Sequence, residues 1–275
     1  MSNFDRKNVT SLSLGVFDGI HRGHKELFKK LDKNGAILII ENSRATLTPF
    51  KKREEFVGLP CFYYNLDEIK SLDGKAFVEK LISDFPNLEK IVVGYDFRFG
   101  FNRSSDVNDL KKLFKKDVVI VDEFNFDGEV VHSTKIRELL NAGDIKKANA
   151  LLGRNYSICG VVIKGQGLGK KSLYPTINLH VKDYLIPKDG IYASVTKIKN
   201  KTYKSVSFIG NRLSTDKEFS IETFLLDVDE VDVKHGDEVE ISLVDFIREN
   251  RKFDDLNELK NAISKDIQKA KEILK

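Results

Sequence analysis

The stretch Gly15–His24, GVFDGIHRGH, decides how the first half of this chain folds. The apolar, β-favouring residues Val9, Leu12 and Leu14 precede it. Leu27, Phe28 and Leu31 follow at helical spacing, with Gly35 as the stop. The layout is strand, glycine turn, helix. Such a junction gathers free backbone N–H groups and the positive end of a helix dipole at one spot, which suits a phosphate. His21 and His24, spaced i and i+3, fall on one face of the first helical turn and add donors there. A glycine turn before a helix is often only a turn, and both histidines could be solvated residues at a helix start. The joint pattern at a strand-to-helix junction points instead to a nucleotide site that handles a triphosphate.

Working outward, the first half alternates. Strands are expected near Thr10–Val16, at Ala36–Glu41, at Lys90–Gly94 and at Asp117–Asp122. Helices are expected near Gly23–Asp32, at Gly74–Phe85 (with Phe77, Leu81 and Ile82 on one face) and at Val107–Lys116. This alternation argues a parallel sheet covered on both faces, with ligands at the carboxyl ends of the strands. Two short helices follow, from Ser133–Thr134 to Gly143 and from Asp144 to Leu152, and the domain boundary is placed near Gly153–Tyr156. Beyond it, SICGVVIKG, IYASVTKIKN, KTYKSVSFIG, SIETFLLDVD and DEVEISLVDFI read as consecutive strands. Strands in series without helices argue an antiparallel barrel or sandwich. A terminal amphipathic helix, with Leu256, Leu259, Ile263, Ile267 and Ala270 on one face, is expected to pack on it, opened by a capping box from Asp255 and Glu258.

Composition narrows the function. With 275 residues, 41% hydrophobic and 32% charged, the chain has the length for two domains with real cores. The net charge of +4 is mild, and lysine pairs such as those beginning at Lys29, Lys51 and Lys111 read as solvated faces. No basic stripe interleaved with aromatics argues for nucleic acid, whereas an anionic small substrate fits the charge. Cys61 and Cys159, the two cysteines, offer no disulfide framework or zinc spacing and are expected to be small buried residues. The segment MSNFDRKNVTS is no apolar signal, and Ala36–Ile40, the longest clean apolar run, is too short to span a membrane. No membrane association is expected, and the expected compartment is the cytoplasm.

Five further features carry chemistry. GYDFRFG (Gly94–Gly100) follows a strand and mixes Asp96 and Arg98 with aromatics such as Phe97. It is either a polar loop or the wall of a site for a planar ligand. HSTKIR (His132–Arg137) opens a helix. Ser133 or Thr134 would ordinarily be an N-cap, yet hydroxyls, fresh N–H groups, Lys135 and Arg137 together suit a phosphate. Gly165, Gly167 and Gly169 could cradle phosphates or form a flexible hairpin loop. Thr176 and Asn178, two residues apart on an extended segment, point to one side and could share a magnesium ion and its phosphates. Glu222, in a mainly apolar strand, is either solvent-facing or a general base in a cleft.

GVFDGIHRGH, VVGYDFRFG with Arg103, HSTKIR, LLGR, the glycine loop with PTIN, GIYA and ETFLLD occur in an order that resembles the bacterial bifunctional riboflavin kinase/FMN adenylyltransferases, or FAD synthetases. The resemblance runs down to RKFDDLNEL before the last helix. It implies a nucleotidylyltransferase (Rossmann-like) α/β domain over residues 1–153 that joins the AMP part of ATP to FMN. It also implies a riboflavin kinase β-barrel domain with a terminal helix over residues 157–275. By this resemblance His21 and His24 contact ATP phosphates. Gly15, Phe17, Asp18 and Gly19 form the turn beside them, and Ser133, Thr134 and Arg137 form a second phosphate element. Asp96, Phe97 and Arg98 shape the nucleotide and flavin sites. Thr176 and Asn178 hold metal and phosphate, and Glu222 takes the proton from the ribityl 5′-hydroxyl. The implied small molecules are ATP, riboflavin, FMN and FAD, with Mg²⁺ as cofactor; the oligomeric state stays open.

The resemblance is to a divergent member. IIENSRATLTPF stands where the family has Phe-x-Pro-His-Pro, Lys170, Ser172 and Leu173 replace Arg, Leu and Gly, and Arg212-Leu213-Ser214-Thr215 replaces Arg-Pro-Thr-Phe. The alternatives are an enzyme with one of the two activities, a flavin- or nucleotide-binding regulatory protein without turnover, and an adenylyltransferase for another small acceptor. Retention of His21, His24, Thr176, Asn178 and Glu222 argues for turnover, and the barrel-like half argues against another acceptor.

Overall fold

In this computed structural model, residues 5–42, 46–164, 174–214, 216–228 and 230–275 are described. The chain divides into two compact units, Met1–Ser133 and Thr134–Lys275. In the first, strands β1 (Ser11–Gly15), β2 (Gly35–Glu41), β3 (Cys61–Asn65), β4 (Lys90–Gly94) and β5 (Asp117–Val121) alternate with helices. The helices are α1 (Arg22–Phe28), α2 (Glu54–Val57), α3 (Leu66–Ile69), α4 (Gly74–Asp84) and α5 (Val107–Leu113). The sheet is parallel throughout, in the order β3-β2-β1-β4-β5. The chain steps outward from β1 to β3, then returns to the other side of β1 for β4. That reversal leaves a crevice at the carboxyl ends of β1 and β4, where open parallel sheets hold ligands.

Both faces of the sheet are covered. Leu12, Leu14, Leu38, Ile91 and Val93 pack with Phe77, Val78, Leu81 and Leu110, whereas Ile37 and Ile39 pack with Phe17, Ile20 and the half-buried Leu27 and Phe28. On α4, Val78 takes the inward position assigned above to Ile82, which is 43% exposed. Helix α1 stops at Phe28, short of the expected Asp32, because Lys30 and Leu31 bond back three residues in tight turns. Strand β3 was not among the expected strands. It is an edge strand, paired only with β2 and mostly half-buried, so its apolar pattern is weak. Cys61 on it is half-buried, not fully buried, and burial with the nearby Glu54 pushes its thiol up to about 12. Cys159 is also half-buried, its thiol donating to the Glu240 carboxylate at 3.3 Å. A small antiparallel hairpin, β6 (Asn125–Phe126) and β7 (Glu129–Val130), turns at Asp127-Gly128, both with positive φ, as a tight hairpin turn requires.

Helices α6 (Ser133–Ala142) and α7 (Ile145–Leu152) lead into the strands β8 (Tyr156–Ile163), β9 (Ile177–Val181), β10 (Gly190–Ile198), β11 (Lys201–Asn211), β12 (Phe219–Leu225) and β13 (Glu238–Glu249). These close as an antiparallel barrel in the order β10-β11-β12-β9-β8-β13, with β13 returning to pair β10. The strand β9, which holds PTIN's Ile177 and Asn178, adds a sixth stave to the five expected. Helix α8 (Leu256–Ile273) lies on β10, β11 and β13 as expected. Asp255 caps it alone, accepting the Asn257 N–H, without the reciprocal Glu258 bond of a capping box. A paired fork from Arg248 to the buried Asp266, at 2.8 and 2.7 Å, ties the helix to β13. Among the described residues no helix is long and apolar enough to cross a membrane.

Among the described residues, five fully buried serine and threonine hydroxyls meet inside the barrel: Ser194, Thr196, Ser205, Ser207 and Thr223. Their contacts close a ring: Ser194–Ser205 2.8 Å, Ser205–Thr196 2.8 Å, Thr196–Thr223 2.9 Å, Thr223–Ser207 3.1 Å and Ser207–Ser194 2.7 Å. Each hydroxyl has one proton, so each donates once and accepts once around the ring. Because Ser207 donates to Thr223, the direction of the whole circuit follows. Such a one-way ring polarises itself and satisfies every member. Thr223→Val keeps the shape but opens the ring, leaving Ser207 without its acceptor and Thr196 without its donor. The expected cost is about 1–3 kcal/mol of stability, read as a lower denaturation midpoint. A change within a few tenths of a kcal/mol would show the ring to be energetically idle.

Candidate functional site

The chain leaves β1 at Gly15 and turns before α1. Phe17, Gly19 and Ile20 have φ of 50°, 91° and 41°, a left-handed path that glycine adopts freely and the other two only where packing holds them. Phe17 is 3% exposed, and its ring meets His24 edge-on at 5.1 Å and Phe28 at 5.2 Å. A Cβ on Gly15 would stand 3.2 Å from that ring, so the glycine makes room for the aromatic. Phe17 thus lies beneath the histidines as packing.

His21 is the N-cap of α1, and its Nδ1 accepts the His24 N–H at 3.3 Å. The two imidazoles stack, with centroids 3.5 Å apart and planes 18° off parallel. An accepting Nδ1 carries no proton, so the neutral His21 ring holds its proton on Nε2. The expected pair on one face is realised by an N-cap and the third helical residue, with a histidine in a capping place usually taken by Ser, Thr, Asp or Asn. Arg22 stacks over Phe126 at 4.1 Å, laying the small hairpin against the start of the helix.

Asp18 is 4% exposed and faces backbone. Its carboxylate accepts the N–H groups of Thr46, Leu47 and Thr48 at 3.2, 3.2 and 3.0 Å. Its carbonyl accepts the Ser133 hydroxyl at 2.8 Å. Ser133 therefore reaches back to the phosphate turn, while Thr134 is exposed and Arg137 half-buried one turn along α6. On the far side of the strand-order reversal, Gly94 ends β4 and the GYDFRFG loop begins. Asp96 and Arg98 are exposed, Arg98 lying 3.8 Å from Asp106. Phe97 is half-buried, packed on the sheet core and stacked with Phe99 at 5.6 Å. The Tyr95 hydroxyl donates to Glu123 at 2.7 Å, a bond that pushes it up to about 12.

In the barrel unit, β12 pairs with β9 so that Glu222 faces Asn178 across the ladder. Thr176 donates its hydroxyl to Glu222 Oε2 at 2.9 Å, and Asn178 donates its amide to Thr176 Oγ1 at 3.5 Å. Glu222 Oε1 accepts from Ser220 Oγ at 2.6 Å and from Arg212 Nη1 at 3.4 Å. Arg212 is itself held by a paired fork to Asp216 at 2.9 and 2.8 Å. The Glu222 side chain is 18% exposed, so it is neither fully solvated nor sealed. Sequence reading missed Ser220 and the contact of Arg212. The i, i+2 spacing of Ser220 and Glu222 on one strand carries the first; a loop return carries the second, with no local signal. Gly165, Gly167 and Gly169 lie outside the described residues.

Residues 41–135 match the family model described as FAD synthetase, and residues 152–274 match that described as riboflavin kinase. A bifunctional riboflavin kinase/FMN adenylyltransferase of Buchnera aphidicola is 33% identical over 93% of this chain and 90% of its own length. One of Listeria monocytogenes is 30% identical over 94% and 90%. A crystal structure described as a macrolide-efflux protein of Streptococcus pneumoniae covers 96% of this chain and 94% of its own, with a TM-score of 0.83 and 26% identity. The chain belongs to the bifunctional riboflavin kinase/FMN adenylyltransferase family.

Proposed function

We propose that this chain makes FAD from riboflavin in two ATP-dependent steps, at two separate sites. The observation that carries the reading is the meeting of Glu222 on β12 with Asn178 on β9 and Thr176 just before it, in a barrel that follows a phosphate-type turn in the same chain. We assign phosphorylation to residues 157–275 and adenylylation to residues 1–153, in the cytoplasm, where ATP is at hand.

In the first step the riboflavin 5′-hydroxyl oxygen attacks the γ-phosphorus of ATP. The new O–P bond forms as the bond to the β-phosphate oxygen breaks and ADP leaves. The hydroxyl proton goes to the Glu222 carboxylate, since an alcohol needs a base to become a competent nucleophile. Ser220 and Arg212 hold that carboxylate from one oxygen, which fixes its direction. Thr176 and Asn178 offer oxygen donors beside it, a hard set that fits Mg²⁺ better than a soft metal. Among the described residues no group of three or more His, Cys, Asp or Glu could cage a metal, so the ion would depend on the nucleotide's phosphates for most of its ligands. Bound there, Mg²⁺ supplies charge neutralisation on the phosphates.

In the second step an FMN phosphate oxygen attacks the α-phosphorus of another ATP and pyrophosphate leaves. The nucleophile is already ionised, so positioning and charge stabilisation suffice. His21 and His24 donate to the phosphates from their stacked rings. Ser133 braces the turn through the Asp18 carbonyl, and Gly15 and Gly19 shape it. Asp96 and Arg98 approach the nucleotide and flavin from the β4 side, with Phe97 anchoring their loop.

The test feeds the purified protein riboflavin with ATP and Mg²⁺, then FMN with ATP and Mg²⁺, and resolves the flavins by chromatography. FMN followed by FAD is expected in the first case and FAD in the second. Flavin bound without either product would leave a binding protein, and FMN alone would leave a kinase.

A further inference from the structure

Two motifs read from the sequence meet through residues that neither reaction step uses. Tyr95, from GYDFRFG, donates its hydroxyl to Glu123 Oε1 at 2.7 Å, and the same oxygen lies 3.5 Å from Nε2 of His132, from HSTKIR. His132 Nε2 is in turn 3.6 Å from Glu123 Oε1, so the three side chains close a triangle whose short side is Tyr95–Glu123. A phenol has one proton, and here it goes to the carboxylate, so the Tyr95 oxygen accepts on its longer side. That places the imidazole proton on His132 Nε2.

The triangle joins three segments at the carboxyl end of the sheet. Tyr95 directly follows β4, and its N–H donates to the Val121 carbonyl, at the end of β5, at 2.9 Å. Glu123 lies two residues before the β6–β7 hairpin and His132 two residues after it. The next residue, Ser133, donates to the Asp18 carbonyl in the phosphate turn. The hairpin also approaches the start of α1, where a Cβ on Gly23 would stand 3.2 Å from the Val131 carbonyl. A continuous set of contacts thus runs from the GYDFRFG loop to the turn that carries His21 and His24.

Asp96 stands between Tyr95 and Phe97. Phe97 packs on the sheet core and its N–H donates to the Gly94 carbonyl at 3.1 Å, so the residues on both sides of Asp96 are anchored. Asp96 Oδ1 lies back over the end of β4, where a Cβ on Gly94 would stand 3.1 Å from it. A carboxylate beside a polyanion has to meet the donor groups of its ligand and stay clear of the phosphates, because like charges in contact are costly. Its direction is best set before the ligand arrives.

We infer that Tyr95, Glu123 and His132 form a strut that preorganises Asp96 and its loop for the substrates of adenylylation, at a fixed spacing from the phosphate turn. The inference rests on the assignment of FMN adenylylation to this unit. All three are positioning residues, acting through the loop they hold. The side chains of Glu123 and His132 are each 42% exposed, so the strut adds little to stability. What it supplies is the population of the competent loop conformer. Losing it weakens apparent affinity by the fraction lost and leaves kcat at saturation untouched.

The test uses the full-length protein, with ATP and FMN varied separately in the adenylylation assay and riboflavin phosphorylation measured on the same preparations. Tyr95→Phe keeps the ring and removes both hydroxyl contacts. It is expected to raise KM for ATP and for FMN about 5-fold, with kcat and riboflavin phosphorylation unchanged. Its melting temperature is expected within about 2 °C of wild type. Glu123→Ala is expected to act in the same direction, and the double variant to lose less than the product of the two, because they work as one unit. His132→Gln, which keeps an N–H donor, is expected to recover part of what His132→Ala loses. Wild-type KM values in Tyr95→Phe overturn the strut, whether or not kcat or the melting temperature falls. So do effects of Tyr95→Phe and Glu123→Ala that multiply in full. Wild-type protein that forms no FAD from FMN overturns instead the assignment beneath the strut.

Discussion

Glu222→Gln is expected to stop riboflavin phosphorylation, lowering kcat by about 10²–10⁴-fold, while FMN is still converted to FAD. Glutamine has the shape of glutamate and a carbonyl oxygen in place of one carboxylate oxygen. It can still accept from Ser220 or Thr176, which donate to the native side chain. Arg212 keeps its fork to Asp216, so no guanidinium is stranded. What the substitution removes is the proton acceptor. The loss should therefore fall on kcat for the kinase step, with the barrel folded and adenylylation at its wild-type rate. A variant that phosphorylates riboflavin normally would remove Glu222 from the role of base.

His24→Ala is expected to do the reverse, lowering FMN adenylylation by about 10²–10³-fold and sparing riboflavin phosphorylation. The geometry makes this position the cleaner of the two histidines. The N-cap bond of α1 runs from the backbone N–H of residue 24 to Nδ1 of His21, so it survives truncation of the His24 ring. Replacing His21 would remove that cap as well, at a cost of about 0.5–2 kcal/mol, and would mix stability with catalysis. The His24 ring also stacks on His21 and meets Phe17 edge-on, so Ala removes a donor and loosens the orientation of its neighbour. Adenylylation at the wild-type rate would take the histidine pair out of the phosphate site.

The strand, turn and helix at Gly15–His24 were legible because period-two and period-3.6 patterns change over within a few residues, with glycines marking the change. The barrel was legible for the same reason, from five β-branched runs in series. What stayed hidden depends on contacts that no local pattern records. Phe17, in a glycine turn, looks like a ligand contact, but its left-handed backbone tips the ring inward onto His24. In FKKR, the lysine pair reads as a solvated face, and nothing in the spacing singles out Arg53 as the residue that turns inward. Inside the barrel the alternation is present but inverted. Ser194, Thr196, Ser205 and Ser207 occupy core positions where apolar residues are expected, and only the closure of the ring with Thr223 makes that affordable. Asp266 on α8 is a polar residue on the buried face for a similar reason, its partner Arg248 arriving from strand β13. At the sites themselves, residue types were readable, whereas Ser220 and the reach of Arg212 to Glu222 needed the strand pairing and the loop return.

The central claim, two reactions at two separate sites in one chain, is tested most directly by mixing Glu222→Gln with His24→Ala and feeding the mixture riboflavin, ATP and Mg²⁺. Each variant alone is expected to form no appreciable FAD from riboflavin, the first for want of FMN, the second by accumulating it. Together they are expected to form FAD, as FMN released by one protein is adenylylated by the other. A mixture that forms no FAD, while each variant retains its own half-reaction, would contradict the account.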